Sequence, residues 1–208
     1  KAGCISHCVP SYRPMLELGL NGLIARAAER EAAARARGDA ESRRRAEFYQ
    51  AVQIALEGVT AYAEHLAAEA RRRADAAPDP VMRQEFLDLA AVCRRVPAQP
   101  ATTFREAINA IWLCQVGIHA ENINMAMSPG RLDQVLAPYY ERDLAAGRLD
   151  LGRAMELIGC LWLKIADNVT MVPEASEQMF GGAGTVPAIT LGGVDQNGGD
   201  AVNDLTYL

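Results

Sequence analysis

The sequence predicts an α/β chain that is predominantly helical. Apolar residues recur at three- and four-residue steps through most of the 208 positions, and capping residues stand where those runs begin. A short apolar, partly β-branched run appears only near the end. Half of the residues are hydrophobic and 23% are charged, ample apolar material for a core.

After Pro10 and Pro14, a first helical stretch is expected from Met15 to Arg30. Ala-, Glu- and Arg-rich sequence runs on to Ala40, interrupted by Gly38-Asp39. From about Ser42 to Ala76, the residues Phe48, Val52, Leu56, Val59, Ala63 and Leu66 form the stripe of a long amphipathic helix. Asp79-Pro80 then resets the chain, because Asp79 can cap orphan amides and Pro80 fits a first turn. The third helix runs to about Arg95 with Phe86, Leu89, Ala90 and Cys93 on one face, and ends before Val96-Pro-Ala-Gln-Pro100. Thr103-Phe-Arg-Glu106 is a capping box opening a fourth helix with Ala107, Ile108, Ile111, Trp112 and Gln115 in period.

Within Leu151–Asp167, one face carries Ala154, Leu157, Ile158, Leu161, Trp162 and Ile165. Met155, Cys160 and Leu163 occupy much of the rest, so burial nearly all round is expected. Ala188-Ile-Thr-Leu191 reads as a buried strand closed by a turn at Gly192-Gly193. Gly181-Gly-Ala-Gly184 reads as a flexible loop, without the Lys-Ser/Thr of a phosphate-binding loop. Asn203-Asp204 is placed to cap a helix onset. The start at Lys1 and the stop soon after that pair suggest a piece of a longer polypeptide.

A net charge of −5 supplies no large positive field. The clusters Arg43-Arg44-Arg45 and Arg71-Arg72-Arg73 stand in acid-interspersed helical sequence and read as solvated faces, not nucleic-acid contacts. Five cysteines without a repeated spacing, and no charged-then-apolar leader, fit a reducing cytoplasm better than a secreted disulfide framework. No run approaches the roughly 18 apolar residues of a membrane span. The Asn168-Val-Thr170 sequon has no secretory context.

Two segments stand apart: Ser128-Pro-Gly-Arg-Leu-Asp-Gln134, continuing through Pro138-Tyr-Tyr140, and Thr190-Leu-Gly-Gly-Val194 with the sequence onward to Leu208. Together they resemble the pyruvate formate-lyase-like domain of glycyl radical enzymes. Ser6-His-Cys-Val-Pro-Ser-Tyr12, Gly19-Leu-Asn-Gly-Leu23, Glu47-Phe-Tyr-Gln-Ala51, Ala61-Tyr62, Cys93 to Pro97, Thr103 to Ala107, Gly147-Arg-Leu149 and Leu161-Trp-Leu-Lys164 fall in family order. The resemblance spans essentially the whole chain.

The resemblance implies a complete fold that is a ten-stranded α/β barrel of two half-barrels wrapped by helices. Residues 1–208 would be a partial domain, helical wrapping plus early strands. It further implies an anaerobic cytoplasmic enzyme, a homodimer when complete, in which a backbone glycyl radical oxidises a cysteine whose thiyl radical takes a hydrogen atom from a small organic substrate. No cofactor is bound directly. A partner activase using S-adenosylmethionine and an iron–sulfur cluster installs the radical. Neither the cysteine loop nor the C-terminal glycine loop of that family matches any segment here. Cys4, Cys8, Cys93, Cys114 and Cys160 lie outside the catalytic-cysteine context, so no catalytic residue is assigned and the chain alone is expected to be inactive.

Several family dehydratases of small polyols resemble this sequence but carry His-Ser where Met125-Ala126 stand. Thioether and methyl groups cannot pair with substrate hydroxyls as those groups do. Met125 and Ala126, with Ser128 beside them, are therefore expected to face an apolar portion of substrate, the alternative being ordinary core packing. A carbon–carbon lyase, decarboxylase or radical addition ranks first on this ground, then a dehydratase or C–N/C–S lyase. The rival is a truncated, non-catalytic helical interaction module. His7 lies where some members direct a histidine at substrate, or else is a structural histidine.

Arg131 and Asp133 are expected to tie their loop to a helix start, with substrate contact the alternative. Cys4, His7 and Cys8 have the spacing of half a metal site, but no second pair follows and His65 and His119 stand isolated. No metal is expected.

Overall fold

A computed structural model describes residues 4–121, 124–167, 178 and 187–208, without the side chains of residues 4–7, 121 and 124–126. The Asn168-Val-Thr170 sequon and the Gly181-Gly-Ala-Gly184 segment lie outside the described residues. The elements in order are β1 (Cys4–Cys8), α1 (Tyr12–Arg37), α2 (Ala40–Ala76), α3 (Pro80–Arg95), α4 (Phe104–Glu121), β2 (Asn124–Met127), α5 (Leu132–Ala145), α6 (Leu151–Asp167) and a 3-10 turn at Asp204–Thr206. The predominantly helical expectation holds. Among the described residues β1 and β2 form one parallel pair, and no helix is long and apolar enough to cross a membrane.

The chain divides into two compact units, one of Lys1–Tyr12, Thr102–Ile108 and Gln115–Leu208, the other of Arg13–Ala101 and Asn109–Cys114. In the latter, α1 is broken at Gly19, whose φ of 67° and ψ of 168° are not helical. The break frees the amides of Leu20 and Asn21, which donate to the carbonyls of Pro97 at 2.8 Å and Ala98 at 3.0 Å, while the Ala101 amide donates to the Leu16 carbonyl at 2.9 Å. The sequence pattern leads to one helical stretch from Met15 to Arg30, while the family resemblance of Gly19-Leu-Asn-Gly22 implies a turn at this point. Apolar spacing on either side of one glycine does not register a bend between them.

Helix α2 begins at an Asp39 cap, whose carboxylate accepts from the Ser42 amide at 2.8 Å and the Ser42 hydroxyl at 2.7 Å. Its predicted stripe holds at Ala63, with Leu66 packed against the same core cluster, and is corrected at its head. Phe48 is 63% exposed, and the buried seam runs through Ser42, Ala46, Ala63, Ala67, Ala70 and Ala74. Ala63 and Ala67 pack with Cys93 of α3 and Leu113 of α4. Alanine loses no side-chain entropy and lets helix backbones approach, so the closest seam is built of the smallest residues. Asp79 caps α3 through the amides of Val81 and Met82, with Pro80 in the first turn as expected.

In the other unit, α4 starts as its capping box predicts, the Glu106 amide donating to the Thr103 hydroxyl at 3.1 Å. The Glu106 carboxylate reaches one residue further back, to the Thr102 amide at 2.7 Å and hydroxyl at 2.8 Å. The Phe104 amide donates to Asp143 of α5 at 2.8 Å, and Arg148 pairs with that buried carboxylate at 2.7 Å. Asp143→Ala would leave the buried amide without an acceptor, so urea denaturation of the full-length protein should show a loss of about 2 kcal/mol. A midpoint unchanged by the substitution would remove the cap from the stabilising interactions.

The helix buried nearly all round is α4, where Phe104, Ala107, Ile108, Ala110, Ile111 and Leu113 are each 5% exposed or less. It contributes residues to both compact units, whereas α6 contributes to one. Helix α6 buries Ala154, Ile158 and Leu161 but leaves Leu151, Met155 and Leu163 at 55%, 55% and 71% exposure. The all-round burial expected of it is corrected accordingly, since the described residues supply no cover for its second flank. The predicted buried strand Ala188–Leu191 is also corrected. It forms a single bridge, Gly130 with Ile189, and Ile189 and Leu191 remain 36% and 44% exposed. Asn203 does cap, accepting from the Leu205 amide at 3.0 Å at the head of the 3-10 turn.

Candidate functional site

The ladder between β1 and β2 sets His7 opposite Ala126 and Cys8 opposite Met127. Just beyond it the Ser128 amide donates to the Cys8 carbonyl at 3.0 Å. Candidates chosen from opposite parts of the sequence, His7 and the Met125-Ala126-Ser128 run, thus share one short parallel pair. Both strands end on the same side, the end at which parallel α/β sheets collect ligands. The register places backbones, and the side chains of His7, Met125 and Ala126, like that of Cys4, lie outside the described residues. Ser128 is half-buried, and its hydroxyl oxygen accepts from the Ala188 amide at 3.0 Å, leaving its own proton to donate.

Behind the strand ends lies a polar group that sequence reasoning missed. Gln115, on the buried side of α4, accepts from the Tyr12 hydroxyl and donates from its amide nitrogen to the Met127 carbonyl at 3.0 Å. The same nitrogen stands 3.3 Å from His119 Nε2, one helical turn on. Tyr12 and Gln115 are 3% and 5% exposed. Burial holds the His119 pKa below that of an ordinary imidazole. The periodicity had counted Gln115 with an apolar face and His119 as isolated. Two hydrogen-bonding residues four apart in the otherwise apolar stretch 110–120 of the helix were the available signal.

Around the start of α5, the two family-like segments interlock. Asp133, 2% exposed, accepts from the Gly192 amide at 2.6 Å, the Thr206 hydroxyl at 2.9 Å and the Gln134 amide at 2.8 Å. Burial alone would raise its carboxyl pKa. The hydrogen bonds from Gly192, Thr206 and Gln134 outweigh that and leave it below the ordinary value. Arg131 donates to the Gly192 carbonyl and, at 2.9 Å, to the Val194 carbonyl, and Gln134 donates to the Ala201 carbonyl at 2.6 Å. Asp133 ties to the start of α5 through the Gln134 amide, and the expected tie is corrected for Arg131 alone. Arg131 makes no side-chain cap to α5, and both residues bind a segment some sixty positions onward. Gly192 and Gly193 turn there with φ of 59° and 82°, and a Cβ on Gly192 would stand 3.1 Å from Val202.

Chemically these side chains shape and hold more than they react. Burial pushes the Cys114 thiol up to about 12, removing it as a thiolate nucleophile. Cys93 is buried in the helical core. Among the described residues no three His, Cys, Asp or Glu groups are gathered as a metal site.

Comparison with known proteins bears on the whole chain. The family described as pyruvate formate lyase-like matches residues 1–208. Isethionate sulfite-lyase of Desulfovibrio desulfuricans is 34% identical over 202 residues, which are 96% of this chain and 24% of that protein. Indoleacetate decarboxylase of Tractidigestivibacter scatoligenes is 32% identical, over 98% of this chain and 23% of its own length. A solved glycyl radical enzyme from Archaeoglobus fulgidus is similar with a TM-score of 0.90 and 36% identity, over 98% of this chain and 26% of that one. The chain therefore spans about a quarter of the length of the relatives it matches.

Proposed function

Because this chain belongs to the pyruvate formate lyase-like family, we propose that it is the early part of a glycyl radical lyase acting on a small organic substrate with an apolar portion. Residues 1–208 are a partial domain, the helical wrapping and early strands of a ten-stranded α/β barrel. The catalytic cysteine loop and the glycine loop belong to other parts of the polypeptide. The enzyme is a cytoplasmic homodimer that works without oxygen, and its partner is an activase using S-adenosylmethionine and an iron–sulfur cluster. The protein radical supplies hydrogen-atom abstraction from substrate. The residues of this chain bind and orient that substrate and keep water from it.

One observation carries the reading: His7 and Ala126 are register partners on a parallel pair, just beyond which the Ser128 amide donates to the Cys8 carbonyl. His7 hydrogen-bonds the polar end of the substrate or moves a proton there, Ser128 donates from its hydroxyl, and Met125 and Ala126 face the apolar portion. That polarity supports cleavage of a carbon–carbon bond, decarboxylation or radical addition. The existence of a relative named indoleacetate decarboxylase agrees with it. Carbon–sulfur cleavage is the second reading, favoured by the relative named isethionate sulfite-lyase, with dehydration beside it.

The test uses the full-length protein activated without oxygen. A doublet electron-spin signal is expected, followed by turnover of an aryl- or alkyl-substituted carboxylate. Repeated absence of the signal with a competent activase would overturn the radical assignment. Turnover of glycerol or propane-1,2-diol in place of the apolar compounds would overturn the assignment of Met125 and Ala126, and turnover of isethionate would select the second reading.

A further inference from the structure

The geometry points to Tyr12, Gln115 and His119 as positioning residues that fix the ends of both strands of the candidate substrate wall. Their relevance to substrate rests on the proposed reading of β1 and β2 as that wall, whereas their effect on the strand ends does not.

The Met127 carbonyl can only accept, so the Gln115 group facing it at 3.0 Å is the amide NH₂. Its oxygen is thereby turned to the Tyr12 hydroxyl, which must donate. Tyr12 opens α1 directly after β1, and Met127 is the last residue of β2. One side-chain amide thus ties the exits of two parallel strands that share only a short ladder. It does so next to the last interstrand bond, from Ser128 to Cys8.

The second hydrogen of that amide points at His119 Nε2, 3.3 Å away. A donor faces this nitrogen, so Nε2 must be the unprotonated acceptor and the ring proton sits on Nδ1. The Nδ1 atom is buried and has no hydrogen-bond partner among the described residues. A lowered pKa caused by burial agrees with a neutral ring. His119 in this tautomer prevents the Gln115 amide from flipping. A flip would set the amide oxygen against both the Met127 carbonyl and the imidazole lone pair.

Gln115→Leu keeps most of the volume and removes the tie. Because Tyr12 and Gln115 are buried, water cannot replace those bonds at no cost. In crystals of the full-length protein, the Met127–Ser128 backbone should shift by about 1 Å, a displacement able to cost about 100-fold in rate when it falls at a reacting substrate. The loss is expected in kcat more than in KM. His119→Gln offers an acceptor and a donor in similar places and should retain the wild-type strand end and rate, whereas His119→Leu should not.

If Gln115→Leu does not fold, nitrogen-15 spectra of the full-length wild type decide through the His119 ring, which must show the Nδ1–H tautomer. A Met127–Ser128 backbone unmoved in Gln115→Leu, or an Nε2–H tautomer, would overturn the assignment. A shifted backbone with unchanged kcat and KM would support the positioning role and count instead against the strand pair as a substrate wall. Ala126→Ser examines that wall separately, through discrimination between apolar and hydroxylated substrates.

Discussion

Asp133→Ala should lower the stability of the full-length protein by about 4 kcal/mol and loosen the segment from Gly192 to Thr206. The carboxylate is 2% exposed and serves the amides of Gly192 and Gln134 and the Thr206 hydroxyl. Each bond to a charged acceptor contributes about 1.5–3 kcal/mol, and donors left unpaired in a buried site incur a desolvation penalty of about 1–3 kcal/mol. The contributions do not add fully, because the segment can move out to water. Asp133→Asn should recover part of the loss. One oxygen can still serve Gly192 and Thr206, but the new NH₂ then meets the Gln134 amide donor to donor. Urea denaturation gives the energy, and limited proteolysis after residue 187 shows where the structure opens.

A pH dependence follows from the same site. The folded-state pKa of Asp133 lies below its ordinary value, which in the unfolded chain is about 3.9. Its ionisation therefore contributes stability that is fully present above about pH 4 and is lost as the pH falls through the folded value. Asp133→Asn should flatten that part of the acid limb. A limb of unchanged slope would mean that other carboxylates set acid unfolding.

This site marks how far the sequence could be read. Arg131 and Asp133 were recognisable as a structural pair, and Gly192-Gly193 as a turn. Their union was not visible, because no periodicity links residues sixty positions apart. Local caps were legible at Asp79, Thr103 and Asn203, whereas the equally local cap at Asp39 was read only as an interruption. Burial was legible only in part. The amphipathic pattern located α2 but pointed to Phe48 where the seam is alanine. For α6, residue type recorded a demand for apolar neighbours that the described residues meet on one face alone. The strands β1 and β2 escaped notice because a four- or five-residue run carries too few positions to establish a period of two. His7 and Ala126 could be proposed separately, but only the ladder register makes them partners.

Gly19→Ala is the other substitution expected to cost about 4 kcal/mol, and it tests how the break in α1 is held. At φ 67° and ψ 168°, the backbone occupies a region essentially confined to glycine, where any side chain costs about 1–3 kcal/mol. The added methyl would also run into the Ala98 carbonyl oxygen and stand 2.6 Å and 2.8 Å from the carbonyl carbon and Cα of Gln99. All three obstacles are backbone, so no rotamer change relieves them, and overpacking of this kind costs about 1–3 kcal/mol more. Retreat would stretch the bonds from Leu20 and Asn21 to the Pro97 and Ala98 carbonyls. Two glycines separate the contributions. Gly38, at φ 74° with nothing within 4 Å of a Cβ, carries a positive-φ cost without the collision, so Gly38→Ala should lose about 1 kcal/mol. Gly58 lies inside α2 with open space and an ordinary φ, so Gly58→Ala should gain about 0.5–1 kcal/mol. The same methyl group is thus expected to destabilise strongly, destabilise weakly and stabilise. Equal losses at Gly19 and Gly38 in urea denaturation would mean that conformation alone sets the cost, and that the 97–99 backbone yields to the intrusion.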